Sequence, residues 1–366
     1  MAKPNMDAFM AEWTKAHGHL QMPGAMLMKH GPDKDYIGAT IAVRGTLFFK
    51  NSFSVDVREA LCKCFDAYQA IAKDRLKWVL RDEPPSGPDK FEIGKAPELR
   101  AMVKKMDEDD NFGFAYTGGE KPHDASPWLF STFGRPAWEA RLGTRGPDSL
   151  IFSVPKEVVE ANPTLFQKLF VDFCKLLKVE HGHAAFALNL SPVREEPNEP
   201  TEAFMVSKMA GLDAGSGHMI GGLPGRDVEH HLVTVGWLTA INHAMVEKVG
   251  GLASLRSELP AGWFAKYDYG NGIVIQAGPE PEIASVELDP NPAIYVLPAM
   301  ALKEVRLIAD LSLHYASKDG EPRLTGLAAK EWLTRFDVPE EELMRYKTKL
   351  LNEPKLTKET TLQGAL

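Results

Sequence analysis

The chain has 366 residues, of which 44% are hydrophobic and 25% charged, and a formal net charge of −8. That composition suits a folded globular protein and excludes wholesale disorder. The negative balance argues against a general affinity for nucleic-acid phosphates and suits a basic partner.

The first residues, Met1-Ala-Lys-Pro-Asn-Met-Asp7, show no basic run leading into an apolar stretch, so no secretory signal is expected. No window reaches the roughly 20 apolar residues that a membrane helix requires. The three cysteines, Cys62, Cys64 and Cys174, fall on predicted helices without a disulfide framework, as expected of reduced thiols in a cytoplasm.

Residues 36–49 alternate with period two: Ile37, Ile41, Val43, Leu47 and Phe49 share one side while Arg44 and Thr46 take the other, predicting a strand with a bulge at Gly45. From Ser54 to Leu80 the apolar positions recur at helical spacing behind a capping serine. Arg81–Asp89, rich in proline, ends that helix as a loop. A short helix is expected near Pro97–Met106, then strands at Phe112–Tyr116 and Trp128–Arg141. Leu150–Val154 reads as a further strand. Asn162-Pro163 reads as the start of a helix that turns Leu165, Leu169, Phe170, Phe173, Leu176 and Leu177 inward. Ala184–Leu190 is apolar enough for a central strand.

Gly211–Gly225 is a glycine-rich loop. Next comes a predicted amphipathic helix carrying Trp237, Leu238, Ile241, Met245 and Val249 on one face and stopped by Gly250-Gly251. Trp263–Tyr269 and Gly272–Ala277 flank a Gly-Asn-Gly turn and read as a hairpin. Two helices are expected over Pro298–Ser317 and Gly326–Phe336, and a polar tail after Leu351 is expected to fray. The fold class is therefore α+β, with mixed or antiparallel sheets and packed helices in two related halves. The expected units are 1–145, 146–345 and a flexible tail at 346–366, with one continuous domain as the alternative.

Catalytic chemistry is sparse. Gly221-Gly-Leu-Pro-Gly225 lacks the Gly-Lys-Ser/Thr ending of a phosphate loop, and no Gly-x-Ser-x-Gly elbow is present. His181, His183, His230 and His231 offer a metal-enzyme alternative, although adjacent histidines on a helix diverge by about 100°. No metal, no cofactor and no catalytic residue is assigned. Acidity instead gathers in segments: Asp107, Glu108, Asp109 and Asp110 where a helix ends, then Glu195, Glu196 and Glu199, then Glu340–Glu342, which suit a helix start after Pro339. The first two segments are the candidate partner surface, flanked by Phe112, Tyr116 and Trp128 as candidate anchors.

Four stretches share an order with a known family: Gly236-Trp-Leu-Thr; Val249-Gly-Gly-Leu-Ala-Ser-Leu-Arg-Ser-Glu-Leu-Pro260; Gly272-Ile-Val-Ile-Gln-Ala-Gly-Pro-Glu-Pro281; and Tyr295 with Leu302-Lys-Glu-Val-Arg306. Together they resemble the type VI secretion immunity family described for VRR-Nuc effectors. Gly236 and Ile283–Val286 stand where that family usually has asparagine and a Gly-Asp-Val-Asn-like segment. The resemblance implies a non-enzymatic cytoplasmic protein that binds a nuclease effector and blocks its active site or DNA groove, touching neither nucleic acid nor membrane itself. An immunity protein against a different toxin class is the alternative. Within this reading Trp237, Leu238, Gly250, Gly251, Gln276, Gly278 and Pro279 are scaffold.

Overall fold

The computed structural model describes residues 26–29, 35–82, 84, 87–142, 146–222, 227–307, 312–315 and 320–365. The opening heptapeptide and Leu223–Gly225 of the glycine loop lie outside them. Eleven strands are seen among the described residues: β1 (Met26–Lys29), β2 (Tyr36–Phe49), β3 (Trp78–Arg81), β4 (Lys90–Glu92), β5 (Phe112–Thr117), β6 (Leu129–Gly134), β7 (Asp148–Val154), β8 (His181–Leu190), β9 (Leu238–Asn242), β10 (Phe264–Asp268) and β11 (Gly272–Ala277). They form one sheet in the order β10-β11-β9-β8-β2-β7-β6-β5-β3-β4, with β1 also on β2. Neighbouring strands pair antiparallel. The fold is α+β, and the ladder runs unbroken through strands from both sides of residue 145.

The helices are α1 (Val55–Ala72), α2 (Leu99–Val103), α3 (Ala137–Leu142), α4 (Lys156–Ala161), α5 (Leu165–Leu177), α6 (Glu199–Val206), α7 (Gly217–Gly222), α8 (His243–Lys248), α9 (Gly251–Glu258), α10 (Ala293–Ala301), α11 (Gly326–Leu333) and α12 (Leu343–Lys349). Ser54 caps α1, its Oγ accepting from the Val57 amide. Helices α1 and α5 cover one face of the sheet and meet it through aromatic rings. Phe65 lies against Tyr116 and Phe130, Phe130 against Phe173, Phe173 against Phe152, and Phe152 against Phe166, which stacks on Trp237. Large rings bury much apolar area at low side-chain entropy, so this chain of contacts ties both sheet halves to one core. On the other face, β9 to β11 are covered by a second cluster that includes Met245 and Val246 of α8, Leu255 of α9, Ile294 to Leu297 of α10 and Tyr346 of α12.

Several expectations are corrected. The helix over 237–249 is instead strand β9 followed by α8, which Asn242 caps by accepting from the Met245 amide. Both faces of β9 are buried, Leu238 and Ala240 against the aromatic core and Ile241 against the second cluster. A strand apolar on both sides loses the alternation that would reveal it. The predicted helix Ser54–Leu80 stops at Ala72, Lys73 takes a φ of 48°, and Trp78–Arg81 pairs with β4 and β5. Only Leu129–Gly134 of 128–141 is strand, and the rest includes α3. Asn162 does not cap α5, and Leu176 is 38% exposed. The helix placed at Pro298–Ser317 begins at Ala293 and ends at Ala301, while 308–311 and 316–319 lie outside the described residues. The tail that was expected to fray lies on the protein: Gln167 and Gln276 both donate to the Thr360 carbonyl, and the Leu356 amide donates to Gly262.

Gly45 makes no bulge, because β2 keeps register with β7 and β8 on either side of it. Its hydrogen is needed for room, since a Cβ would sit 2.7 Å from the Phe152 ring. Gly45→Ala should cost about 1–3 kcal/mol through overpacking, and Phe152→Leu in the same chain should recover part of it. Urea unfolding of the two variants measures both effects.

Candidate functional site

The alternation of β2 sends Arg44 and Thr46 to the face opposite the aromatic core, yet both are buried. A buried guanidinium requires a counter-charge and acceptors. Arg44 finds them in Asp213, whose Oδ2 accepts from Nε at 3.2 Å and Nη2 at 3.0 Å, and in the carbonyls of Gly215 and Leu188 at 3.1 and 3.4 Å. His183 Nε2 lies 3.0 Å from the other Asp213 oxygen. Burial by itself raises the Asp213 carboxyl, but His183 and Arg44 outweigh it and hold the group well below the ordinary carboxylate range. The segment 213–222 is thereby fastened across β2. Glu202 extends the network, accepting from the Gly215 amide at 2.9 Å and lying 2.7 Å from His314 Nε2.

Beside this segment a cleft of about 520 Å³ opens over β3, β5 and β6. Leu80, Ala115, Ser131 and Phe133 line it from the strands, Val193, Glu195, Ser216 and Tyr315 from the loops, and His218 from α7. A deeper chamber of about 100 Å³ shares Glu195, Ser216, His218 and Ser131 with the cleft and adds Arg44, Asn189 and Glu202. His218 holds α7 to the sheet, with Nε2 2.8 Å from Ser131 Oγ and Nδ1 2.7 Å from Ser149 Oγ. Burial, with Arg44 nearby, pushes its imidazole down to about 3, so it acts as a neutral clamp rather than as a base near pH 7. Glu195 moves the other way: burial, then Glu202 and Glu199, raise its carboxyl to about 7.

The residues singled out in the sequence are placed as follows. Asp107, Glu108 and Asp109 are exposed on a turn after α2. Its shape is partly self-made, since Asp107 accepts from the Asp109 amide and Asp110 from the Asp107 amide. Arg58 donates to the Asp107 and Asp110 carbonyls, and Arg141 bridges Glu108 and Asp109. Phe112 and Tyr116 belong to the core, at 1% and 3% exposure, and cannot anchor a partner; Trp128 is half-buried against Tyr68. Trp138 of α3, at 47%, and Leu142, at 62%, are the exposed apolar groups here, on the helix whose first amide bonds to the Glu108 carbonyl. Glu196 is exposed, whereas Glu199 is buried and accepts from the Tyr315 amide and Arg323.

A second hollow, lined by Lys105, Met106 and Asn111 beside the acidic turn, shares Arg81, Asp82, Gly113 and Phe114 with the cleft. The two hollows thus meet at the end of β3, where Arg81 and Asp82 approach Gly113 and Phe114. The histidines do not converge: His181 contacts the Val228 carbonyl, His183 pairs with Asp213, and His230 and His231 turn to Asp227. Among the described residues no group of three or more His, Cys, Asp and Glu is placed to hold a metal.

The scaffold motif closes on one atom. Gly278, at φ 77°, presents its carbonyl to Trp237 Nε1 at 3.2 Å and Gln276 Nε2 at 2.9 Å. Leu238 is buried and Pro279 half-buried beside it, and Gly250 and Gly251 adopt φ of 90° and 79°. These motif residues sit within the segment matched by the family model for type VI immunity to VRR-NUC, which spans residues 60–336. The chain belongs to that immunity family. Among solved structures, Pseudomonas aeruginosa T6SS protein PA0821 is similar, with a TM-score of 0.91 and 43% identity over 99% of this chain and 100% of that one. A search of curated proteins returns no match. Among the described residues of this immunity-family protein, no helix is long and apolar enough to cross a membrane.

Arg44, His218, Trp138 and Tyr315 were not singled out as site residues in the sequence. A lone arginine inside an apolar strand was the available signal for the first, whereas Trp138 was hidden in a segment read as strand. The raised Glu195 carboxyl has a pH consequence. Between about 4.5 and about 7 the folded state keeps a proton that the unfolded chain releases, so this group's contribution falls as pH rises through that window. Glu195→Gln should therefore gain thermal stability relative to the unmodified chain at pH 8 and lose that advantage at pH 5. Melting curves showing the same difference at both pH values would refute it.

Proposed function

We propose that this member of the immunity family binds a VRR-Nuc effector directly and covers its active site or DNA groove, acting in the cytoplasm and catalysing no reaction itself. The observation that carries this is the set of exposed acids Asp107, Glu108 and Asp109 beside the exposed Trp138 and Leu142. Acids next to an accessible aromatic ring combine the two ingredients of a contact that forms fast and lasts, long-range steering and an anchor that excludes water. A nuclease must hold phosphates in a cationic groove, and a chain of net charge −8 is drawn to such a groove and competes with nucleic acid there. The sheet and aromatic core are rigid, so sequence change at the turn and at α3 can retune the contact without disturbing the scaffold.

The test uses a VRR-Nuc effector that co-purifies with the chain when it is captured from its own cells. Stoichiometric chain should suppress its cleavage of DNA, and failure to do so would overturn the reading. Trp138→Ala should weaken the complex by about 30-fold. Glu108→Gln with Asp109→Asn should slow association, most strongly at low salt. Both sets leave the carboxylates that shape the turn in place. An unchanged Kd for all three substitutions at low salt would remove this surface.

A further inference from the structure

The chamber beneath Glu195 has no use in the acidic-turn contact just described. It lies under the segment that Arg44 and Asp213 fasten to the sheet. We infer that it is a receptor for one arginine or lysine side chain of the effector, a recognition point separate from the acidic turn; this rests on the effector-binding reading above.

Four observations support it. Two of the side chains lining the chamber are carboxyls, Glu195 and Glu202, and the Asn189 amide and the Ser216 hydroxyl can also accept, whereas Ser131 is already engaged with His218. The cation among them, Arg44, is already offset by Asp213, so its charge does not repel a second cation as an unpaired guanidinium would. Asn189, 2% exposed, donates through Nδ2 to the Ser126 carbonyl at 2.9 Å and to Ser153 Oγ at 2.7 Å, but its Oδ1 has no partner among the described residues. A buried acceptor without a donor is unfavourable, and an N–H of an incoming guanidinium or ammonium would satisfy it. In the adjoining cleft, which shares Glu195 and Ser216 with the chamber, Val193 and Tyr315 are 48% and 50% exposed, giving apolar and aromatic surface along which the methylene stem of such a side chain can lie.

The volume fits a side-chain tip better than a whole ligand. At about 100 Å³ the chamber exceeds the roughly 10–15 Å³ that one water requires by the same measure, yet is well below a typical small-molecule site. Glu195 belongs at its entrance, shared between chamber and cleft. Burial, then Glu202 and Glu199, raise the Glu195 carboxyl to about 7 despite the opposing pull of Arg44 and Ser216, so a second cation beside it is favourable.

The experiment measures the affinity of the purified chain and its variants for the same VRR-Nuc effector, with melting curves confirming that each variant folds. Glu195→Gln should weaken binding by about 30-fold or more, and Glu195→Lys, which brings its own ammonium to the site, should abolish it. Glu331→Gln, an exposed acid on α11, should bind as the unmodified chain does. Alanine replacement of each arginine and lysine of the effector should then reveal one residue whose loss makes Glu195→Gln no worse. If the unmodified chain does not bind the effector, the immunity reading fails and this inference with it. If it binds but both Glu195 variants bind equally well, or no effector cation couples to Glu195, the receptor is overturned while the immunity reading stands.

Discussion

The ion pair between Arg44 and Asp213 is the constraint on which the functional face depends. An arginine at the middle of the central strand, almost wholly buried, is cut off from bulk solvent, and most of its donors must be met within the protein. Asp213 and the Gly215 carbonyl meet them, so the chain after α6 crosses the sheet at β2. Gly217 permits the close approach, since a Cβ there would lie 2.6 Å from Thr46 Cγ2. Once that crossing is fixed, Glu202, His183 and His314 follow as its supports, and the space left between the segment and strands β5 and β6 becomes the cleft.

The sheet is used asymmetrically. One face carries an unbroken run of aromatic contacts from Phe65 to Trp237 and is closed by α1 and α5. The other face is closed over β9 to β11 but lined by polar side chains over the central strands, where Ser131, Ser149, Arg44, His183 and Asn189 are found. Apolar burial provides most of the cohesion on the first face, which leaves the second free to keep groups that stability alone would not select. A glutamate raised to about 7 beside two other glutamates is such a group.

The family signature concerns the first requirement more than the second. Trp237 and Gln276 converge on the Gly278 carbonyl, and the stacking of Trp237 on Phe166 with the Gln276 bond to Thr360 joins the β9–β11 region to the rest. Their chemical inertness is what a scaffold requires, because its energy comes from packing and from satisfied backbone groups rather than from reactive side chains. The acidic turn and α3, by contrast, are held at their bases by Arg58 and Arg141 and present their outer atoms to solvent.

Much was legible in the sequence by itself. Alternation in 36–49, the capped helix beginning at Ser54, the hairpin about Gly270 and the run of acids at 107–110 each rest on local periodicity or turn chemistry, which neighbouring residues encode directly. The sequence also determined the family, through spacing of a tryptophan, paired glycines and a Gln-Ala-Gly-Pro strand end. Tertiary structure alone decided that Leu238–Asn242 is strand, because burial on both faces erases the periodic signal, and that Phe112 and Tyr116 point inward while Trp138 points out. It alone decided that Glu199 serves Arg323 within the protein and that Arg44 meets Asn189 and Glu195, both far from it in the chain, at one chamber. Such meetings depend on strand pairing and on the need to neutralise a buried charge, and neither is written in the spacing of residues along the chain.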